Sequence, residues 1–294
     1  MLDFSTFTWQ DKDTYTPYFQ ASPVHYAEYS FFGLWAWLHA YPLEIAYTDS
    51  GLCWLRSSGP LPGIFGPSGN WDNITDWNKV LADFAPGTVI YDVPGKVRDI
   101  LANREGLRFS EERNQHEYVY SVKDLTALKG KAYAHKRNRV RAFLDGYEWD
   151  YEELTPAVFG EVMDFQEKWR VLREGTMTPD EAASLDDEDT AIRNAFDKWE
   201  DFGFMGGLLR VDGKIIAYTI AEELDSENLD ARFEKAFPEY AGSYQAINYM
   251  FLKNQGAKYK FVNREEDMGE PGLREAKLSY NPILMLEKYH MEIL

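Results

Sequence analysis

Between Gly207 and Ala221 the chain changes its hydrophobic period, and that change limits the folds open to it. Gly207 to Val211 and Lys214 to Ala221 are apolar runs joined by Asp212-Gly213, a pair that readily takes the positive φ angles of a type I′ turn. A β-hairpin is predicted there. Upstream the spacing is helical: Val158, Val162, Phe165 and Trp169 follow the start signal Thr155-Pro156, and a second helix opens at Thr178-Pro179-Asp180-Glu181 and runs through Ile192, Phe196 and Trp199. Its acids, Asp186 to Asp189 among them, fit a solvated, dipole-matched face better than a metal site. Downstream, a strand at 229–236 leads through a loop at 237–243 to a helix at 244–254, a strand at 259–263, a helix reaching 279 and a last strand from 283. Helices, then a hairpin, then alternating helices and strands describe an α/β layer with mixed strand pairing.

The first half repeats much of this order. A helix is predicted at 22–41, a hairpin at 43–47 and 52–56 turning on Asp49-Ser50-Gly51, and a Gly/Pro-rich loop at 59–70. A helix at 74–84, a strand at 88–91, a helix at 95–103 and strands near Leu107 and Tyr118 follow. Hairpin turns (Gly51, Gly213), the next helix starts (Ile74, Tyr244) and the next strand starts (Thr88, Tyr259) are offset by 162, 170 and 171 residues. A near-constant offset implies a structural duplication. The expectation is two similar α/β domains, 1–130 and 151–294, with a basic helix at 131–144 in the junction 131–150.

Composition narrows the function. A single cysteine, Cys53, excludes an internal disulfide framework and a CxxC-type zinc or redox site. The longest apolar run, Phe31 to Leu38, is too short for a membrane helix, and the N-terminus lacks a signal-peptide layout, so a soluble cytoplasmic protein is expected. The net charge of -18 opposes extensive contact with polyanions. It is unevenly spread: residues 1–150 carry 15 basic and 19 acidic side chains, the remaining 144 carry 16 and 30. Between Lys123 and Arg141 seven basic residues face one acid, Asp124. Lys136, Arg137, Asn138 and Arg141 are therefore candidates for anion binding; the bland reading is a solvated helix face, with Arg137 and Asn138 bonding across the domain junction.

No Gly-x-Ser-x-Gly elbow, phosphate-binding GxxxxGK[ST] loop or metal-spaced His pair occurs, and the five histidines are scattered singly. The densest polar block is Asn263-Arg264-Glu265-Glu266-Asp267, followed by Arg274, Lys277 and Tyr280. It begins where an apolar strand ends, the place where open α/β sheets present ligand-binding loops. Arg264, Arg274 and Lys277 suit a carboxylate or phosphate, and Glu265, Glu266 and Asp267 an ammonium. A salt-bridged loop stapling the last helix is the structural alternative.

Lys136-Arg137-Asn138, Glu234-Lys235-Ala236, Tyr244-Gln245-Ala246-Ile247-Asn248, and the block from Asn263 to Gly269 with Gly272 to Pro282 resemble the phosphatidylglycerol lysyltransferase C-terminal family. The resemblance covers nearly the whole chain. It implies two tandem GNAT-like acyltransferase domains, related in fold to the Fem aminoacyltransferases, with the active cleft in the C-terminal half. It implies Glu234 as proton acceptor or amine anchor, Tyr280 as acid, and Asn263, Tyr244 and Asn248 as substrate-binding positions. Gly242 and Ser243 fall where such enzymes hold a donor pyrophosphate on backbone N–H groups. Here the loop reads Glu239-Tyr-Ala-Gly-Ser-Tyr244, and an acidic first position and bulky last one oppose ordinary acetyl-CoA binding. The expected activity is acyl or aminoacyl transfer to an amine or hydroxyl, with acyl-CoA or aminoacyl-tRNA as donor, a small-molecule or lipid-head-group-like acceptor and a local contact with a tRNA acceptor end. Two rivals stand beside it: a non-catalytic binding protein with a degenerate GNAT fold, and an acyl-CoA N-acetyltransferase acting on a small cationic amine.

Overall fold

The computed structural model describes residues 2–60, 62–174 and 179–294. Among these are fourteen strands: β1 Ser5–Thr6, β2 Leu43–Tyr47, β3 Leu52–Ser57, β4 Gly63–Gly69, β5 Val89–Pro94, β6 Leu107–Glu111, β7 Glu117–Ser121, β8 Trp149–Glu153, β9 Met205–Val211, β10 Lys214–Glu223, β11 Asn228–Ala236, β12 Phe261–Asn263, β13 Leu284–Leu286 and β14 Lys288–Ile293. They form two seven-stranded sheets, β1-β2-β3-β4-β5-β14-β6 and β13-β7-β12-β11-β10-β9-β8.

The two sheets share one plan. In the first, β2, β3 and β4 pair antiparallel, β4 pairs parallel with β5, and β14 is antiparallel to β5. In the second, β9, β10 and β11 pair antiparallel, β11 pairs parallel with β12, and β7 is antiparallel to β12. The inferred duplication is thus a repeat of topology.

The chain divides into two compact units, the first comprising Met1–Glu117, Glu266–Pro271 and Met285–Leu294, the second Tyr118–Glu265 and Gly272–Leu284. This differs from a division into 1–130, 131–150 and 151–294. β14, at the chain's end, hydrogen-bonds to β5 and β6 in the first sheet, while β7, encoded in the first half, hydrogen-bonds to β12 in the second. Strand pairing, which carries no local sequence signal, decides membership. The basic helix, Ala134–Gly146, is part of the second unit.

The Asp212-Gly213 hairpin forms as expected, with φ of 50° and 73° at the turn. β10 is the second sheet's buried strand, covered from Ile215 to Glu222, as its unbroken apolar run requires. Helices Ala134–Gly146 and Ser243–Asn254 cover it, and Phe143, Ala246 and Ile247 pack with Leu209, Val211, Ile216, Ala217 and Ala236. Phe143 alone, fully buried, contributes about 1.5–3 kcal/mol. In the first unit Trp54, Trp71, Trp77, Val93, Val97 and Met291 build the corresponding core.

Other expectations change. The predicted helix 22–41 is reduced to a 3-10 turn at Ala27–Tyr29 and a short helix at Phe31–Trp35. An unpredicted helix precedes it at Lys12–Ala21, despite Pro17. The Gly/Pro-rich segment 59–70 contains β4, a strand whose glycines disguise it. The start signal at Thr178 lies outside the described residues; the helix itself runs Pro179–Asp197, and its Asp186 and Asp189 pair with Arg170.

Candidate active site

The site of the second unit comes from two parallel strands that part. β11 and β12 pair only over Asn228–Asp230 and Phe261–Asn263. Beyond that point β11 runs on to Ala236 along β10, whereas the chain leaves β12 through Glu265, held at a φ of 55°. The strands part at their carboxyl ends, where this architecture places ligands, and this fork is the candidate cleft. Glu234, on β11, and Arg264, just after β12, meet across it. Arg264 Nη2 donates to Glu234 Oε1 at 2.8 Å, and Asn248 Nδ2, from the helix Ser243–Asn254, donates to Glu234 Oε2 at 3.1 Å. Tyr280, just beyond the helix Pro271–Leu278, places its ring 4.8 Å from the guanidinium carbon. Lys136 Nζ stands 3.8 Å from the centre of the same ring. Val140 and Phe143 share its helix face at i+4 and i+7, so Lys136 occupies a position on the helix's buried stripe.

Burial works against the Arg264 charge, but Glu234 and the two tyrosines beside it hold its pKa above the usual value. Burial pushes the Tyr280 hydroxyl up to about 12 against the opposing pull of Arg264, so it is a proton donor at neutral pH. Burial, and then the positive charge of Arg264, bring the Lys136 ammonium down to about 8. Arg264 Nη1 is buried with no hydrogen-bond partner among the described residues.

The sequence profile for the C-terminal part of phosphatidylglycerol lysyltransferases matches residues 20–292. This chain belongs to that family. Its fold is similar over the full length of both chains to a conserved protein of unknown function from Bacteroides thetaiotaomicron, at 31% identity and a TM-score of 0.87. FemX is similar at 13% identity and a TM-score of 0.65, over 100% of this chain and 98% of that one. A tandem GNAT protein from the clavulanic acid biosynthesis pathway is similar at 11% identity and 0.52, over 99% and 98%. At those identities the likeness is one of fold, and the fold is tandem GNAT-like. An uncharacterized protein of Mycoplasmoides gallisepticum is 21% identical over 177 residues, 60% of this chain, and the match spans 56% of that curated relative's length.

The polar block that marks the family in this sequence divides between the units. Asn263, Arg264 and Glu265 lie in the second; Glu266 and Asp267 lie in the first. Asn263 Oδ1 accepts from the Glu265 N–H at 2.8 Å and shapes the exit from β12. Glu265 bonds Arg232 at 2.9 Å, completing a buried set with Glu222 and Asp230, each 2.8 Å from the same guanidinium. Its carboxylate serves the sheet. Asp267 is fully buried, 3.2 Å from Arg113 and capping the Gly269 N–H at 2.9 Å. Lys277 is also structural: its Nζ donates to the Arg264 carbonyl at 2.6 Å and its own carbonyl accepts from the Tyr120 hydroxyl at 2.9 Å. Tyr120, unmarked in the sequence, thereby supports the cleft, with its ring 6.3 Å from that of Tyr280. Arg274 is half-buried on the helix Pro271–Leu278. Of the basic helix, Asn138 and Arg141 are exposed and Arg137 donates to the carbonyls of Leu128 and Gly130, so Lys136 alone reaches the cleft.

The donor loop is occupied by protein groups. The N–H groups of Tyr240, Ala241 and Ser243 donate to the Phe237 carbonyl, the Tyr147 hydroxyl and the Tyr240 carbonyl. Gly242, at a φ of 87°, lies so close to the Arg139 carbonyl that a Cβ there would sit 2.2 Å from its oxygen. Ser243 Oγ donates to the Phe237 carbonyl, and the Tyr244 hydroxyl accepts from Trp169 Nε1 at 3.3 Å.

The first unit has a similar fork, with a buried lysine among carboxylates. β4 and β5 pair in parallel at Ile64–Ile90 and Phe65–Tyr91, and the next residue, Asp92, takes a φ of 50°, close to the 55° of Glu265 at the exit from β12. Beside it Lys288, fully buried, binds Glu28 and lies 3.1 Å from Glu117, whose carboxylate also accepts from the Ala27 N–H at 2.9 Å. Burial raises the Glu28 carboxyl to about 7 against the pull of Lys288, with Asp92 and Glu117 adding to the rise. A carboxyl that holds its proton more tightly when folded stabilises fully below its unfolded value, and that contribution is lost as pH rises through the folded value. The stability of the native protein relative to Glu28→Gln should therefore fall between about pH 4.5 and 7, as read from paired urea denaturation curves. A constant difference over that range would remove Glu28 from the linkage.

Proposed function

We propose that the second unit transfers an aminoacyl group from an oxygen ester, as in aminoacyl-tRNA, to an amine or hydroxyl acceptor. The observation that carries this reading is the Glu234–Arg264–Tyr280 set in the mouth between β11 and β12, with Tyr280 buried and the ion pair partly so. Attack of the acceptor on the ester carbonyl puts negative charge on its oxygen, and a preorganised guanidinium in a dry site is the kind of donor that stabilises it. The carbon–oxygen bond to the leaving group then breaks, and the departing alkoxide takes the Tyr280 proton. The acceptor's own proton leaves to solvent, and the Tyr280 phenolate takes one back from it. An alkoxide needs such an acid far more than a thiolate does, which favours an ester over a thioester donor. The occupied amides at Tyr240, Ala241 and Ser243 favour the same choice. Glu234, with both oxygens engaged, acts in this scheme as a positioning residue for Arg264.

The family supplies phosphatidylglycerol as the first acceptor to try, and no helix among the described residues is long and apolar enough to cross a membrane. Thermal midpoints with lysyl-tRNA, uncharged tRNA and acetyl-CoA provide the donor test, because a ligand selective for the folded state must raise the midpoint. A rise with lysyl-tRNA above that with uncharged tRNA is expected; a rise with acetyl-CoA alone would overturn the choice of donor. Tyr280→Phe should lower turnover about 100-fold with little change in KM. Unchanged turnover would exclude it as the acid.

A further inference from the structure

The cleft holds more positive charge than the protein neutralises. Arg264 is matched by Glu234. Lys136 has no counterpart: it is 6% exposed, and among the described residues no carboxylate or carbonyl accepts from its ammonium, whose neighbour is the aromatic face of Tyr280. Taking most of the water from a lysine side chain without giving its ammonium a protein acceptor is costly, and placing it beside a second cation adds to the cost. In the same place Arg264 Nη1 is buried without a partner. Two cations against one carboxylate leave a net charge of one, with unmet donors on both.

We propose that Lys136 and Arg264 together hold one monoanionic oxyanion of the substrate, a phosphodiester or a carboxylate, at the face of Tyr280. Calling that anion the substrate's rests on the transfer reading; its binding does not. Such a group would accept from Lys136 Nζ and Arg264 Nη1 and cancel the excess charge. The charged and titratable groups about Lys136 are Arg264, the Tyr280 phenol and, across the guanidinium, Glu234 and Tyr120. Tyr280 is held near 12, Tyr120 is pushed above its usual value by burial and Arg264 stays charged, so none of these three imitates a lysine near neutrality. Proton loss from Lys136, brought down to about 8, therefore governs the affinity. Binding should be constant below pH 7 and about tenfold weaker at pH 9.

The test is calorimetric titration of the full chain with diethyl phosphate and with acetate between pH 6.5 and 9.5, with no transfer reaction involved. The expected result is binding of at least one probe that weakens about tenfold from pH 7 to 9, and the tighter probe identifies the anion's source. Lys136→Met should abolish this binding, while Arg139→Met, an exposed cation on the same helix, should leave it intact. Should Lys136→Met fail to fold, Lys136→Arg keeps the charge and should bind with a flat profile over that range. No binding of either probe, a flat native profile, or native affinity in Lys136→Met would overturn the proposal. Anion binding without any transfer would keep it and defeat the transfer reading; transfer without proton-linked binding would do the reverse.

Discussion

Replacing Lys288 by Met should cost the protein about 3–5 kcal/mol, enough to remove a large share of the stability of a domain this size. Lys288 has no exposed surface, and neither does Glu117 beside it. Removing the ammonium takes from the buried Glu117 its lysine partner, next to Glu28 and Asp92, whose carboxyls burial already disfavours as anions. Breaking one side of a buried ion pair is far worse than never having built it, because the abandoned charge cannot regain water. Urea denaturation at pH 7.5 measures the loss as a drop in midpoint at unchanged slope. Lower pH should recover part of it, since protons can then replace the missing cation on Glu28 and Asp92. A loss under about 1 kcal/mol would mean the cluster is not the ion pair described here.

Arg264→Met should slow transfer by about 100- to 1,000-fold, the range for deleting a preorganised donor to a developing oxyanion. The loss should fall mainly on kcat, through the charge that develops in the transition state, with a smaller rise in KM from the substrate anion that Arg264 also holds. Arg264→Lys should recover little. A single ammonium at the end of a flexible stem cannot pair with Glu234 and still offer a second donor in a fixed plane. If KM rose while kcat held, Arg264 would be a ground-state anchor.

How much of this could be read from the sequence depended on distance along the chain. The Asp212-Gly213 hairpin and the helix following Gly242 are local and were legible from period and turn chemistry. The duplication was legible because spacing survives when residues do not. β4 was hidden because Gly63, Gly66, Pro67 and Gly69 imitate a loop, although its pairing with β3 and β5 makes it a strand. Strand membership was hidden for another reason: β14 joins β5 and β6 across nearly 200 residues, and no local pattern encodes such a partner. The site followed the same rule. Arg264 and Tyr280 stood out in a compact polar block, and Glu234 through the family resemblance. What could not be read was which charges neutralise one another. Glu265, in the middle of the block, turns to Arg232, whereas Lys136, one cation among seven, lies on the buried face of its helix. Lys288 meets Glu28 from 260 residues away, a pairing that only the fold creates.

The central claim is that the mouth between β11 and β12 carries out ester aminolysis or transesterification with Arg264 as its electrostatic centre. Single-turnover transfer from radiolabelled lysyl-tRNA, with phosphatidylglycerol vesicles or a soluble primary amine as acceptor, tests it most directly when native protein and Arg264→Met are run side by side. Labelled product is expected from the native protein, formed at least about 100-fold more slowly by the variant. Product formed equally fast by both proteins, or none from the folded native protein with either acceptor, would contradict it.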